Sequence, residues 1–68
     1  DPLTARELEV LEKVDEGRTN RQIASAIGLG TRTIKGYLDQ IFRKLGVKDR
    51  TEAVVVAVRR GFIRLKNF

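Results

Sequence analysis

Helix start and stop signals divide this chain more firmly than any other feature. Thr4-Ala5-Arg6-Glu7 and Thr19-Asn20-Arg21-Gln22 each place a hydroxyl three residues before a carboxylate or amide. In that capping box the two side chains close open backbone amides at a helix start. Asp49-Arg50-Thr51-Glu52 has the form of a third box with Asp as the cap, and Leu3 and Leu8 are placed as a hydrophobic staple on the first. Gly17, Gly28, Gly46 and Gly61 each follow an apolar stripe, where a left-handed residue commonly ends a helix. Between these signals the apolar residues recur at helical spacing: Leu8, Leu11 and Val14/Asp15; Ile23 and Ile27; Ile34, Leu38, Ile41, Phe42 and Leu45; Ala53, Val54, Ala57, Val58 and Gly61. The pattern predicts an all-α, compact four-helix domain over residues 1–68, with helices at about 5–16, 20–27, 31–45 and 50–60. Asp1-Pro2 reads as the end of a linker and residues 64–68 as a frayed tail, with Phe62 and Ile63 candidates to pack back on the core. The sequence contains no Met, with which a translated chain normally starts, so the expectation is a piece of something longer.

Composition excludes several classes of function. Without Cys or His there is no disulfide framework and none of the common zinc sites, and no metal or cofactor is expected. No carboxylate pair sits in an evident cleft. Gly28-x-Gly30 is followed by Thr33 rather than a third glycine, with no strand before it, so the dinucleotide fingerprint fails and an enzyme is not expected. No apolar run approaches the roughly 18 residues of a membrane-spanning helix, and a cytoplasmic location is the expectation. Charge is uneven. Residues 1–16 carry two Lys/Arg against six Asp/Glu, a net of −4, whereas residues 17–68 carry twelve against three, a net of +9. A basic body beside one acidic helix suits a polyanion on one side, although solubilising surface charge explains the same numbers.

The Gly28-Leu29-Gly30 corner joins a short helix to a longer one, as in a helix-turn-helix or in an ordinary corner of a helical bundle. In the DNA-binding version the second helix enters the major groove. The core stripe of the third helix leaves Arg32, Lys35, Gly36, Asp39 and Arg43 on the opposite side. Gly36 lies about 200° around the helix from Ile34, so core packing does not require it. A bare backbone there lets a large object approach closely, and the cations around it suggest duplex DNA. Arg32, Lys35, Gly36 and Asp39 are the candidate base contacts. Asn20, Arg21, Thr31, Thr33, Arg43 and Lys44 are candidate phosphate contacts. Asp39 has two readings: an i, i+4 ion pair with Lys35 or Arg43, or an acceptor for cytosine N4.

The fourth helix is rich in valine. With Ala53, Val54, Ala57 and Val58 turned inward, Val55 and Val56 fall outside near Arg59 and offer a self-complementary patch for a two-fold dimer. The alternative is that Val56 packs against the first helix and leaves one exposed valine. Two functions compete: sequence-specific binding of double-stranded DNA, and a helical protein-interaction module docking a receiver domain or RNA polymerase. RNA binding is a weaker third, because stacking aromatics are few.

One more pattern bears on the choice. Leu3-Thr4-x-Arg6-Glu7-x-Glu9-Val10-Leu11, Gly17-x-Thr19-Asn20-Arg21-Gln22-Ile23-Ala24, Thr33-Ile34-Lys35, Lys44-Leu45-Gly46-Val47 and Arg50-x-Glu52-Ala53-Val54 together resemble the LuxR-type DNA-binding domain. The resemblance covers about 60 of the 68 residues. It implies the C-terminal output domain of a bacterial transcription factor, of the response-regulator or quorum-sensing kind, with a receiver or sensor domain upstream. It also implies a third helix in the major groove, a fourth helix at a homodimer contact, and Lys35 and Gly36 at the base-reading centre. Three departures stand out. Gly30 replaces a Ser-like cap, Tyr37 stands where His is common and reads as half-buried packing, and Gly36 and Asp39 replace side chains that often reach DNA.

Overall fold

A computed structural model of the chain describes residues 2–64. Four helices follow one another: α1 (Ala5–Asp15), α2 (Asn20–Ile27), α3 (Thr31–Leu45) and α4 (Arg50–Arg59). Both threonine boxes form. The Thr4 and Thr19 hydroxyls accept from the amides of Glu7 and Gln22, whose side chains accept in return from the cap amides. Asp49 caps α4, but Glu52 reaches one residue further back and accepts from the Lys48 amide at 3.2 Å, so this box is not reciprocal. The expected ends hold to within one residue: α1 and α4 stop at Asp15 and Arg59, each with its glycine at positive φ two residues on.

The core draws on every helix. Val10, Leu11 and Val14 come from α1, Ile23 and Ala24 from α2, Ile34, Leu38, Ile41 and Leu45 from α3, and Ala53 and Ala57 from α4. Ile63 folds back and is buried with them, while Phe62 stays exposed. Arg64 is exposed, and the rest of the expected frayed tail lies outside the described residues. Val10 is fully buried, whereas Leu8, expected on the inward face of α1, is half-buried. α4 approaches the core through its two alanines. Val54, Val56 and Val58 are half-buried against the core, and Val55 is the valine left 46% exposed. The placement of Val56 outside is thereby corrected: α4 is close enough, through small residues, for valines on both flanks to reach apolar neighbours.

One charged pair is part of this packing. Glu7 is 4% exposed. Its Oε1 accepts from the Lys44 ammonium and from the Thr4 amide, both at 2.8 Å, and the same ammonium lies 3.3 Å from the Pro2 carbonyl oxygen. Burial alone would raise the Glu7 pKa. The hydrogen bond from Lys44, the Thr4 amide and the nearby positive charge together outweigh it and hold the carboxyl below its ordinary 4.5.

Two outcomes follow from these placements. Lys44→Met keeps most of the stem and removes the charge, leaving a buried carboxylate. It should cost about 2 kcal/mol at pH 7, less than the ~3–5 kcal/mol of a fully buried pair, because Lys44 retains some solvent contact. The native pair stabilises the fold above the ordinary carboxylate range and loses that contribution as pH falls through the lowered Glu7 pKa. In Lys44→Met the hydrogen bond and charge of the ammonium are gone while burial remains, so the Glu7 pKa rises relative to the native protein and the gap in stability between the two proteins should narrow in acid. Thermal melts at pH 7 and pH 3 check this, and a gap between the two proteins that is equal at both pH values would refute it. Separately, a Cβ at Gly36 would meet nothing within 4 Å. Gly36→Ala should therefore stabilise the fold by about 1 kcal/mol, read as a raised midpoint in denaturant; an unchanged or lower midpoint would contradict the open space there.

Candidate nucleic-acid interface

The corner between α2 and α3 sets the geometry. Gly28, at φ 83°, closes α2 with its amide 2.8 Å from the Ala24 carbonyl oxygen, and the Leu29 amide shares that acceptor at 2.9 Å. Glycine adopts this left-handed conformation without the clash a Cβ would bring. The half-buried Leu29 packs on the core and pins the turn. Gly30 then starts α3 in extended conformation with no side-chain cap, so the first-turn amides of α3 keep their donors open.

Burial of Ile34, Leu38, Ile41 and Leu45 fixes the rotation of α3. Its outer side carries Arg32, Lys35, Gly36, Asp39 and Arg43, all exposed, as are Thr31 and Thr33 in the first turn. Among the described residues, no carboxylate lies in salt-bridge range of Arg32, Lys35 or Arg43. The i, i+4 pairing considered for Asp39 is therefore not formed; the carboxylate stands in solvent between the two cations. Arg21 is exposed at the start of α2. Asn20 beside it is half-buried, with its Oδ1 covered and without a hydrogen-bond partner.

Lys44 departs from its expected place. It lies on the flank of α3 that meets α1, and its ammonium is held by Glu7 rather than standing free on the basic strip. The exposed patch on α4 is reduced to Val55 with Arg59 beside it. Two features escaped the sequence reading. Gln40 is exposed and, with Thr33, Gly36 and Tyr37, lines a shallow depression of about 340 Å³ on α3; the i, i+3, i+4, i+7 spacing of these four residues was the available signal. Arg50 donates to the Arg18 carbonyl oxygen at 2.9 Å, tying α4 to the loop after α1.

Comparison with known proteins agrees with the four-helix fold. The model of the family GerE, bacterial regulatory proteins of the luxR family, matches residues 1–57. The transcriptional regulatory protein DegU of Brevibacillus brevis is 38% identical over 64 residues, 94% of this chain and 27% of that protein. The crystal structure of the response regulator ChrA of a heme-sensing two-component system superposes with a TM-score of 0.90 at 38% identity, covering 93% of this chain and 31% of that one. The DNA binding domain of the response regulator ComA, solved in complex with the anti-activator RapF, gives 0.81 at 48% identity, covering 82% and 97%. This chain spans about three tenths of the length of full-length relatives such as DegU and ChrA. With its four helices, its glycine corner and a family match over most of its length, the chain belongs to the luxR family of bacterial regulatory proteins.

Proposed function

We propose that this domain binds a specific site in double-stranded DNA, with α3 in the major groove, as the output domain of a bacterial response regulator acting in the cytoplasm. The observation that carries the reading is the outer face of α3: three exposed cations, none paired, around a backbone left bare at Gly36. Arg32 and Lys35 are placed to donate to guanine O6 and N7, and Asp39, unpaired, to accept from cytosine N4. Arg21, Arg43, the Thr31 and Thr33 hydroxyls and the open amides at the start of α3 suit phosphate oxygens. Asn20, with its oxygen turned inward, has its amide nitrogen left to donate. Lys44 does not serve here. The role is that of a binding module, not an enzyme.

Two such domains meet through α4, with Val55 at the centre and Arg59 at the rim. A single exposed valine is a small patch, so the contact is weak in isolation and is completed by two domains held on adjacent half-sites. A second reading draws on the ComA domain, which was solved bound to RapF: the same kind of domain here docks a protein, whether a receiver domain, RNA polymerase or an anti-activator. The two roles coexist if they use different faces.

Selection of bound sites from random duplexes at two salt concentrations tests the proposal. A short inverted repeat that persists at higher salt is the expected result. Binding that enriches no motif and vanishes with salt would leave only a basic surface and move the protein-docking reading first. Lys35→Ala should relax the preference at one position per half-site by about 1–3 kcal/mol; an unchanged motif would remove Lys35 from base reading. Val55→Glu should leave the monomer's melting unchanged and abolish the two-domain complex on an inverted repeat, measured by sedimentation. A dimer that survives would exclude α4 as the contact.

A further inference from the structure

The depression on α3 has features that basic residues alone do not explain. Its four lining residues, Thr33, Gly36, Tyr37 and Gln40, include no Asp, Glu, Lys or Arg, although they adjoin the strip of Arg32, Lys35 and Arg43. Gly36 is the floor, and nothing lies within 4 Å of where its Cβ would be. Its backbone groups are held within the helix and ask for no partner. Tyr37 is a half-buried wall packed against the core, so that side of the depression is anchored. A shallow hollow with an apolar floor thus sits at the centre of the face that we read as meeting DNA.

The edges of base pairs in the major groove present hydrogen-bonding groups with one apolar exception, the methyl on C5 of thymine. A donor or acceptor pressed onto the Gly36 floor would lose its water and find no partner. A methyl group loses nothing there and leaves water. We propose that the hollow formed by Thr33, Gly36, Tyr37 and Gln40 receives the C5-methyl of a pyrimidine in the major groove, so that one position in each half-site is selected by a methyl group. The inference rests on the DNA-binding reading and adds to it. The glycine is a specificity determinant through the space it leaves, and Thr33, Tyr37 and Gln40 enter as the walls. Thymine carries this methyl, and so does 5-methylcytosine; the hollow recognises the group they share.

The test starts from the duplex selected above. Each thymine is replaced in turn by uracil, which removes the methyl and keeps every hydrogen-bonding group, and affinities are measured by fluorescence anisotropy. One thymine per half-site should weaken binding about fourfold when replaced, the value of burying one methyl group. Gly36→Leu, which fills the hollow, should bind more weakly and no longer distinguish thymine from uracil at that position. Its melting temperature serves as the check that it folds. Placing cytosine and then 5-methylcytosine at the same position separates the sources. A gain on methylation means that any C5-methyl is accepted, and no gain means that thymine's own base pair is read as well. If no uracil substitution matters, or if Gly36→Leu discriminates as well as the native chain, the proposal is overturned while DNA binding stands. If no site is enriched at all, DNA reading itself fails.

Discussion

The inward stripe of α3 is the constraint on which the remaining arrangement depends. Ile34, Leu38, Ile41 and Leu45 are all buried, and α3 is packed against each of the other three helices. A helix held on three sides cannot rotate without exposing those residues, and each large aliphatic side chain returned to water costs about 1.5–3 kcal/mol. The residues on its other side have no packing role. Arg32, Lys35 and Arg43 are long, flexible and individually free, yet the face they occupy is fixed by the core beneath them. Precision comes from the scaffold and adaptability from the side chains, which suits recognition of a partner whose charges are regularly spaced.

The Glu7–Lys44 pair acts on the same organisation from the edge. Glu7 does two things at once: its amide and carboxylate complete the cap of α1, and its charge fixes the ammonium of Lys44 on α3. One carboxylate thereby joins the start of α1 to the end of α3 across 37 positions of sequence. The pairing also alters the surface field. It withdraws one cation from the basic body and neutralises one charge of the acidic helix, and leaves Arg32, Lys35 and Arg43 on the outer side of α3 as its exposed cations.

Helix limits were legible because they are local. Thr4, Thr19 and Asp49 declare starts through their own side chains, and Gly28 and Gly46 declare stops through a conformation that few other residues adopt. The inner and outer faces of α3 followed from period alone. Placement on the flanks did not. Glu7 lies three, four and seven residues before Val10, Leu11 and Val14, so its inward position was written in the spacing, but the sequence reading took it only as part of the capping box. Lys44 lies three residues after Ile41 and was read as a phosphate contact, without the partner it finds in Glu7. The pairing of the two escaped the sequence, because the partners that make burial of the carboxylate tolerable are separated too far along the chain to be seen. Val56 was misplaced for a different reason. A period assigns direction but not distance, and the closeness of α4 follows from Ala53 and Ala57 meeting a core whose shape is set elsewhere.

Local and tertiary stability are distributed unequally among the helices, and the inequality tracks exposure of backbone. Of the four helices described, α1, α2 and α4 each have a side-chain cap, a feature generally worth about 1 kcal/mol. α3 has Gly30 at its cap and Gly36 in its interior, two choices that weaken it as an isolated helix. It is also the longest and has the longest buried stripe, so packing offsets what its local sequence lacks. Both glycines have open space where a Cβ would sit, so nothing inside the fold demands them. Selection for stability alone would have replaced Gly36 with almost any helix former. What the two glycines leave behind is access: open amides at the helix start, and an apolar hollow one and a half turns on. A small domain that gives up local stability at those two points of one helix keeps its backbone bare on the side facing away from its core, which is where the proposed DNA contact needs it.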